Sequence, residues 1–123
     1  MAKAFGPYSP IRNSGGFYFI SGQIGVNPVT KTVGKTLDEQ TSHVFENLRT
    51  VLASEGLVLS DIVKVTIFLI DMGNFETVNN LYSKFFTSPY PARSTVSVQE
   101  LPRVGGKYPI QIEIEAVAYK ESV

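Results

Sequence analysis

Hydrophobic and polar positions alternate along two stretches in the last third of the chain. In Pro91–Val98, Ser94, Val96 and Val98 share one face, while Arg93, Thr95 and Ser97 share the other. In Ile110–Ala118, the apolar face holds Ile110, Ile112, Ile114, Ala116 and Ala118, against Gln111, Glu113 and Glu115. Ile62–Ile70 repeats the pattern, with Val63, Val65, Ile67 and Leu69 opposite Lys64, Thr66 and Phe68. Phe17–Ile24 reads as a strand from its aromatic and β-branched content.

Two other stretches follow helical spacing. Thr36 with Glu39 forms a capping box, followed by a stripe of Val44, Leu48, Val51 and Leu52 that Gly56 ends. Gly73-Asn74 opens a second helix through Phe86, with Phe75, Val78, Tyr82 and Phe85 as its core stripe and Pro89 and Pro91 as its stop. Met1–Asn13 is a short lead with Pro7 and Pro10, Ser14-Gly15-Gly16 a turn, and Gly25–Lys35 and Leu101–Pro109 are loops.

Two helices and at least four strands in one domain, residues 1–123, predict an α+β fold. Two amphipathic helices cover one face of one sheet and no more. The other face, lined by Lys64, Thr66, Phe68, Arg93, Thr95, Ser97, Glu113 and Glu115, is left without a partner. A polar face can simply meet water. Phe68 left in water would forgo about 1.5–3 kcal/mol of burial. A homo-oligomer that packs these faces together resolves the conflict.

Charge narrows the function. Eleven basic residues balance eleven acidic ones, so nothing drives the chain electrostatically toward nucleic acid or anionic lipid. The absence of cysteine excludes disulfides, a thiolate nucleophile and a zinc–thiolate site. His43, expected on the wet face of the first helix, is the only histidine, which argues against a histidine metal site. Met1–Pro7 holds no apolar run of signal-peptide length and no stretch is long enough to span a membrane, so a soluble cytoplasmic protein is the expectation.

Five short motifs then fall in one order: Gly6-Pro7-Tyr8-Ser9, Ser21-Gly22-Gln23-Ile24, Val78-Asn79, Pro91-Ala92-Arg93-Ser94 and Ile112-Glu113-Ile114-Glu115-Ala116. In these, and over nearly its whole length, the chain resembles the RidA family of reactive intermediate deaminases, formerly YjgF. The resemblance implies a chorismate-mutase-like two-layer sandwich, assembled as a homotrimer around a central barrel with clefts between subunits. It implies hydrolysis of 2-enamine and 2-imine acids (2-aminoacrylate, 2-iminobutanoate, 2-iminopropanoate) to 2-oxo acids and ammonia, with no metal or organic cofactor. Arg93 matches the family's carboxylate-binding arginine, whose planar fork suits a bidentate grip. Glu113 matches the pocket glutamate that orients or deprotonates water. Tyr8 and Ser21 match lining residues, Gly22 a glycine whose backbone lies against the ligand, and Asn79 a cleft asparagine.

Four departures stand out. Thr95 occupies a position that is commonly cysteine, and is assigned with Glu113 to positioning water. Leu101–Pro109 is longer than the usual connection and Thr87–Tyr90 shorter. The N-terminus lacks most of the first edge strand. Two other readings of the same residues remain: Arg93 and Glu113 as a structural ion pair on neighbouring strands, and a non-catalytic small-carboxylate-binding or regulatory trimer. RNA cleavage is disfavoured by the balanced charge, the single histidine and the lack of a basic aromatic patch.

Overall fold

Alternating residues build one five-stranded sheet, and helical spacing lays both helices on one of its faces. The computed structural model describes residues 6–121, so Met1–Phe5 of the expected lead lie outside the described residues. The elements are β1 (Ile11–Ser14), β2 (Phe17–Ile24), α1 (Leu37–Ala53), β3 (Ile62–Leu69), α2 (Phe75–Tyr82), β4 (Ala92–Ser97) and β5 (Ile112–Tyr119). The sheet order is β1-β2-β5-β3-β4, with β3 and β4 parallel and every other pair antiparallel. A parallel pair needs a crossover, which α2 supplies between β3 and β4. α1 likewise carries the chain from β2 to β3 across β5. The fold is α+β, as the patterning predicts.

The Thr36 half of the capping box forms, while Glu39 reaches one residue further back than expected. The Thr36 hydroxyl accepts from the Glu39 N–H at 3.1 Å, and the Glu39 carboxylate accepts from the Lys35 N–H at 2.8 Å. The expected stripe of Val44, Leu48, Val51 and Leu52 is fully buried, and Phe45 joins it. These side chains pack on Val65, Ile67 and Leu69 of β3 and on Ile112 and Ile114 of β5, all with no exposed surface. No described helix is long and apolar enough to cross a membrane.

Three local expectations need correction. Part of the presumed lead is a strand: β1 pairs with β2 from Ile11↔Ile20 to Ser14↔Phe17, through Gly15 and Gly16, whose φ of 61° and 92° a tight hairpin turn requires. Its polar Arg12 and Asn13 hid it, as edge strands often do. Val63 is not in the core. The register shifts between Ile62 and Lys64, so Ile62 is 5% exposed and Val63 46%. The second helix begins at Phe75, after a 3-10 turn over Met72–Asn74 capped by Asp71, and ends at Tyr82 rather than Phe86.

Gln40 ties two loops to α1. Its buried amide donates to the Gly34 carbonyl at 3.1 Å and the Pro109 carbonyl at 2.8 Å, while its carbonyl accepts from the Gln111 N–H at 2.8 Å. Apolar replacement strands three backbone partners, one on the loop before α1 and two on the segment leading into β5. Gln40→Leu is expected to lower unfolding free energy by about 3 kcal/mol, read by denaturant titration.

Candidate functional site

Period-two alternation says which residues share a face, not which face. β4 pairs with β3 through Arg93↔Val65, Thr95↔Ile67 and Ser97↔Leu69. Those β3 partners are all core residues. Arg93 and Thr95 therefore lie on the helix side of the sheet, and Ser94 and Val96 on the open side, the reverse of the expectation. Glu113 pairs with Phe68 and stays on the open side. β4 and β5 are not neighbours, since β3 separates them. The reading of Arg93 and Glu113 as an ion pair on adjacent strands fails for that reason. Among the described residues the two ion pairs are Arg49–Glu46 and Arg103–Glu100.

The inward turn of a charged residue is possible because β4 is the sheet edge and α2 covers it only in part. Arg93 Nη2 donates to Asn79 Oδ1 of α2 at 2.6 Å. Its guanidinium carbon stands 4.9 Å from the Tyr82 ring centre and 5.5 Å from that of Phe75. Among the described residues no carboxylate pairs with it. Asn79 supplies a neutral acceptor, so the cation is oriented without being neutralised, and the rest of its planar fork can take an anion. Thr95, two residues along the same face, has a buried hydroxyl without a hydrogen-bond partner. The Tyr82 hydroxyl is in the same condition. Burial raises the Tyr82 phenol above its ordinary value, with the nearby Arg93 charge pulling the other way.

On the opposite face, Glu113 sits against Gly22. A β-carbon at Gly22 would stand 2.7 Å from the carboxylate carbon of Glu113, so any larger residue there would push the carboxylate out of this position. The β2 ladder is irregular here, with a register shift between Ile20 and Gln23. Ser21 donates its hydroxyl to the Ser9 carbonyl at 2.6 Å, and its N–H bonds the Pro10 carbonyl at 3.0 Å. These bonds fasten the segment that carries Tyr8, itself 48% exposed, beside β2. Burial raises the Glu113 carboxyl above its ordinary range, and the Glu115 charge adds to the effect.

A raised carboxyl means that the folded chain holds this proton more tightly than the unfolded one. Across the interval between the two values the folded state binds more protons, so stability falls as pH rises through it. Glu113→Gln removes that loss. Its melting temperature is expected to exceed the wild-type value at neutral pH, and the gap to close below the ordinary carboxylate range. Thermal melts from acid to neutral pH check this.

Seven residues singled out in the sequence thus form two groups. Arg93, Asn79 and Thr95 lie on the helix side, and Glu113, Gly22 and Ser21 lie on the open side with the Tyr8 segment fastened beside them. The open face also presents Phe17, Phe19, Val96 and Tyr119, each 37–50% exposed. Phe17 and Tyr119 contact each other at 4.8 Å. A cavity of about 580 Å³ lies apart from both groups, walled by Ile70, Gln111 and the long loop from Gln99 to Ile110. No group of three His, Asp or Glu side chains that could hold a metal ion occurs among the described residues. The sequence reading missed Tyr82 and Phe75 as neighbours of Arg93. Their spacing from Asn79, three and four residues along α2, was the available signal.

Comparison with known proteins adds to this geometry. A family model described as endoribonuclease L-PSP matches residues 1–120. A RutC family protein of Pyrococcus horikoshii is 42% identical over 120 residues, covering 97% of this chain and 91% of that protein. A 2-iminobutanoate/2-iminopropanoate deaminase of Salmonella typhimurium is 39% identical over 120 residues, covering 95% and 90%. The crystal structure of RidA from an Antarctic Psychrobacter superimposes with a TM-score of 0.88 at 33% identity, covering 96% of this chain and 92% of that one.

Proposed function

The chain belongs to the endoribonuclease L-PSP family, with RutC and RidA proteins among its relatives, and on that premise we propose that it hydrolyses small 2-imino acids to 2-oxo acids and ammonia. The observation that carries the reading is Arg93, a guanidinium oriented by a neutral asparagine and left unpaired with any described carboxylate. Such a group is built to receive an anion, and a 2-imino acid brings a carboxylate of matching geometry. The 39% identity to a named 2-iminobutanoate/2-iminopropanoate deaminase supports the same substrate class.

Arg93 and Glu113 stand on opposite faces, so the reading places the complete site between copies. One copy offers Arg93, Asn79 and Thr95 from its β4 edge. Its neighbour offers Glu113, Gly22, Ser21 and Tyr8 from its open face. A homotrimer closing the open faces into a barrel would bring the groups together and cover Phe17, Phe19 and Tyr119. As water adds to the imine carbon, Glu113 takes one of its protons and passes it to the nitrogen, giving the carbinolamine; Glu113 then takes the carbinolamine hydroxyl proton and hands it to the amine, so that the C–N bond breaks, ammonia leaves and the carbonyl forms. A carboxyl whose value burial has raised suits both transfers. Thr95 and Glu113 hold the water.

The family description mentions ribonuclease activity, but a chain of balanced charge has no electrostatic footprint for RNA. The test couples the protein to a threonine or serine dehydratase and follows imine decay against semicarbazide trapping. Faster release of the oxo acid is the expected result. Saturable 2-oxobutanoate binding without acceleration would replace this reading by a carboxylate-binding regulator.

A further inference from the structure

The guanidinium of Arg93 rests on a pile of rings to which the reaction above assigns no part. Tyr82 lies beneath it at 4.9 Å, and Tyr82 is braced edge-on by Phe45 at 6.2 Å and tilted against Phe86 at 4.7 Å. Phe45 is fully buried and stacks on Phe85 at 4.1 Å with an interplanar angle of 10°. Arg49 of α1 closes the pile from outside, 5.3 Å from the Phe85 ring centre. Tyr82 itself is only 6% exposed, so its ring cannot swing away. Its hydroxyl makes no hydrogen bond, so the phenolic oxygen does not explain the residue. The ring face is what Arg93 meets.

A cation over an aromatic face is attracted by the ring quadrupole. The Asn79 bond fixes one nitrogen of the fork, and a ring below restrains the rest. Asn79 and Tyr82 are three residues apart on α2, and Phe75 four before Asn79, so all three project from one helix face toward β4. We propose that Tyr82 is a positioning residue for Arg93, its ring holding the guanidinium in the orientation that a substrate carboxylate requires, with Phe75 as a looser second rim. The inference rests on the carboxylate-anchoring role given to Arg93 above.

The test compares wild type with Tyr82→Phe, Tyr82→Leu and Tyr82→Met. It measures 2-oxobutanoate affinity by calorimetry and imine turnover by the coupled assay. Leucine and methionine fill the space without a quadrupole, and methionine serves if the leucine variant does not fold. Each is expected to raise Kd and KM about tenfold while kcat changes much less. Phenylalanine is expected to restore most of the lost affinity. Unchanged affinity in the leucine or methionine variant would overturn the inference while leaving the deaminase reading intact. So would a phenylalanine variant as weak as leucine, since the hydroxyl would then be the active part. If wild type binds 2-oxobutanoate with the expected ranking but shows no turnover, the deaminase reading falls and Tyr82 keeps its role. A wild type that neither binds nor turns over overturns both.

Discussion

Arg93→Ala should lower kcat/KM for 2-iminobutanoate on the order of 10³-fold, with oligomer size unchanged by light scattering. The loss has two parts. The substrate carboxylate loses a charge-assisted, bidentate partner, so it binds weakly. What does bind is no longer held at the angle where water meets the imine carbon, and misplacement of about 1 Å can cost 10²-fold on its own. Arg93→Lys makes the separation visible. It keeps the positive charge but not the planar fork that Asn79 and the Tyr82 ring hold in place, so most of the loss should remain. Turnover of Arg93→Ala within a few-fold of wild type would remove the anchor from the mechanism.

Glu113→Gln should reduce kcat by about 10²–10³-fold with little change in KM, because glutamine can orient water but cannot take or return its proton. Here the placement of the two groups on opposite faces gives a sharper test. Each variant alone is expected to keep only residual activity. Exchanged into mixed assemblies in equal amounts, they should regain roughly a quarter of wild-type activity, because a quarter of the junctions pair an intact arginine edge with an intact glutamate face. A site contained within one copy would recover nothing.

The sequence reading carried the fold further than the site. The apolar runs of Ile62–Ile70 and Ile110–Ala118 and the N-cap at Thr36 each have a physical signature strong enough to survive tertiary context. β1 did not, because an edge strand with Arg12 and Asn13 has little hydrophobic pattern to show. Val63 was misplaced by a bulge, which shifts phase by one residue without marking the sequence. The larger error was the side of the sheet taken by Arg93. Val96 and Val98 read as core and Arg93 as part of the face turned away from the helices, which holds for a central strand. On an edge strand the helix side is only partly covered, and an arginine with an asparagine acceptor and two rings can lie there at acceptable cost. Asn79 was assigned to the cleft from resemblance alone. No local pattern could have shown that it would meet Arg93, 14 positions away.

The same division of Arg93 and Glu113 between two sides of one sheet bears on regulation. Under the proposed mechanism, a fully folded single copy holds an anchor without a base and a base without an anchor. Dilution, or a peptide wedged over Phe17 and Tyr119, would switch off chemistry while every helix and strand persisted. Catalytic output would then rise more steeply than protein concentration, giving the cell a threshold rather than a dial.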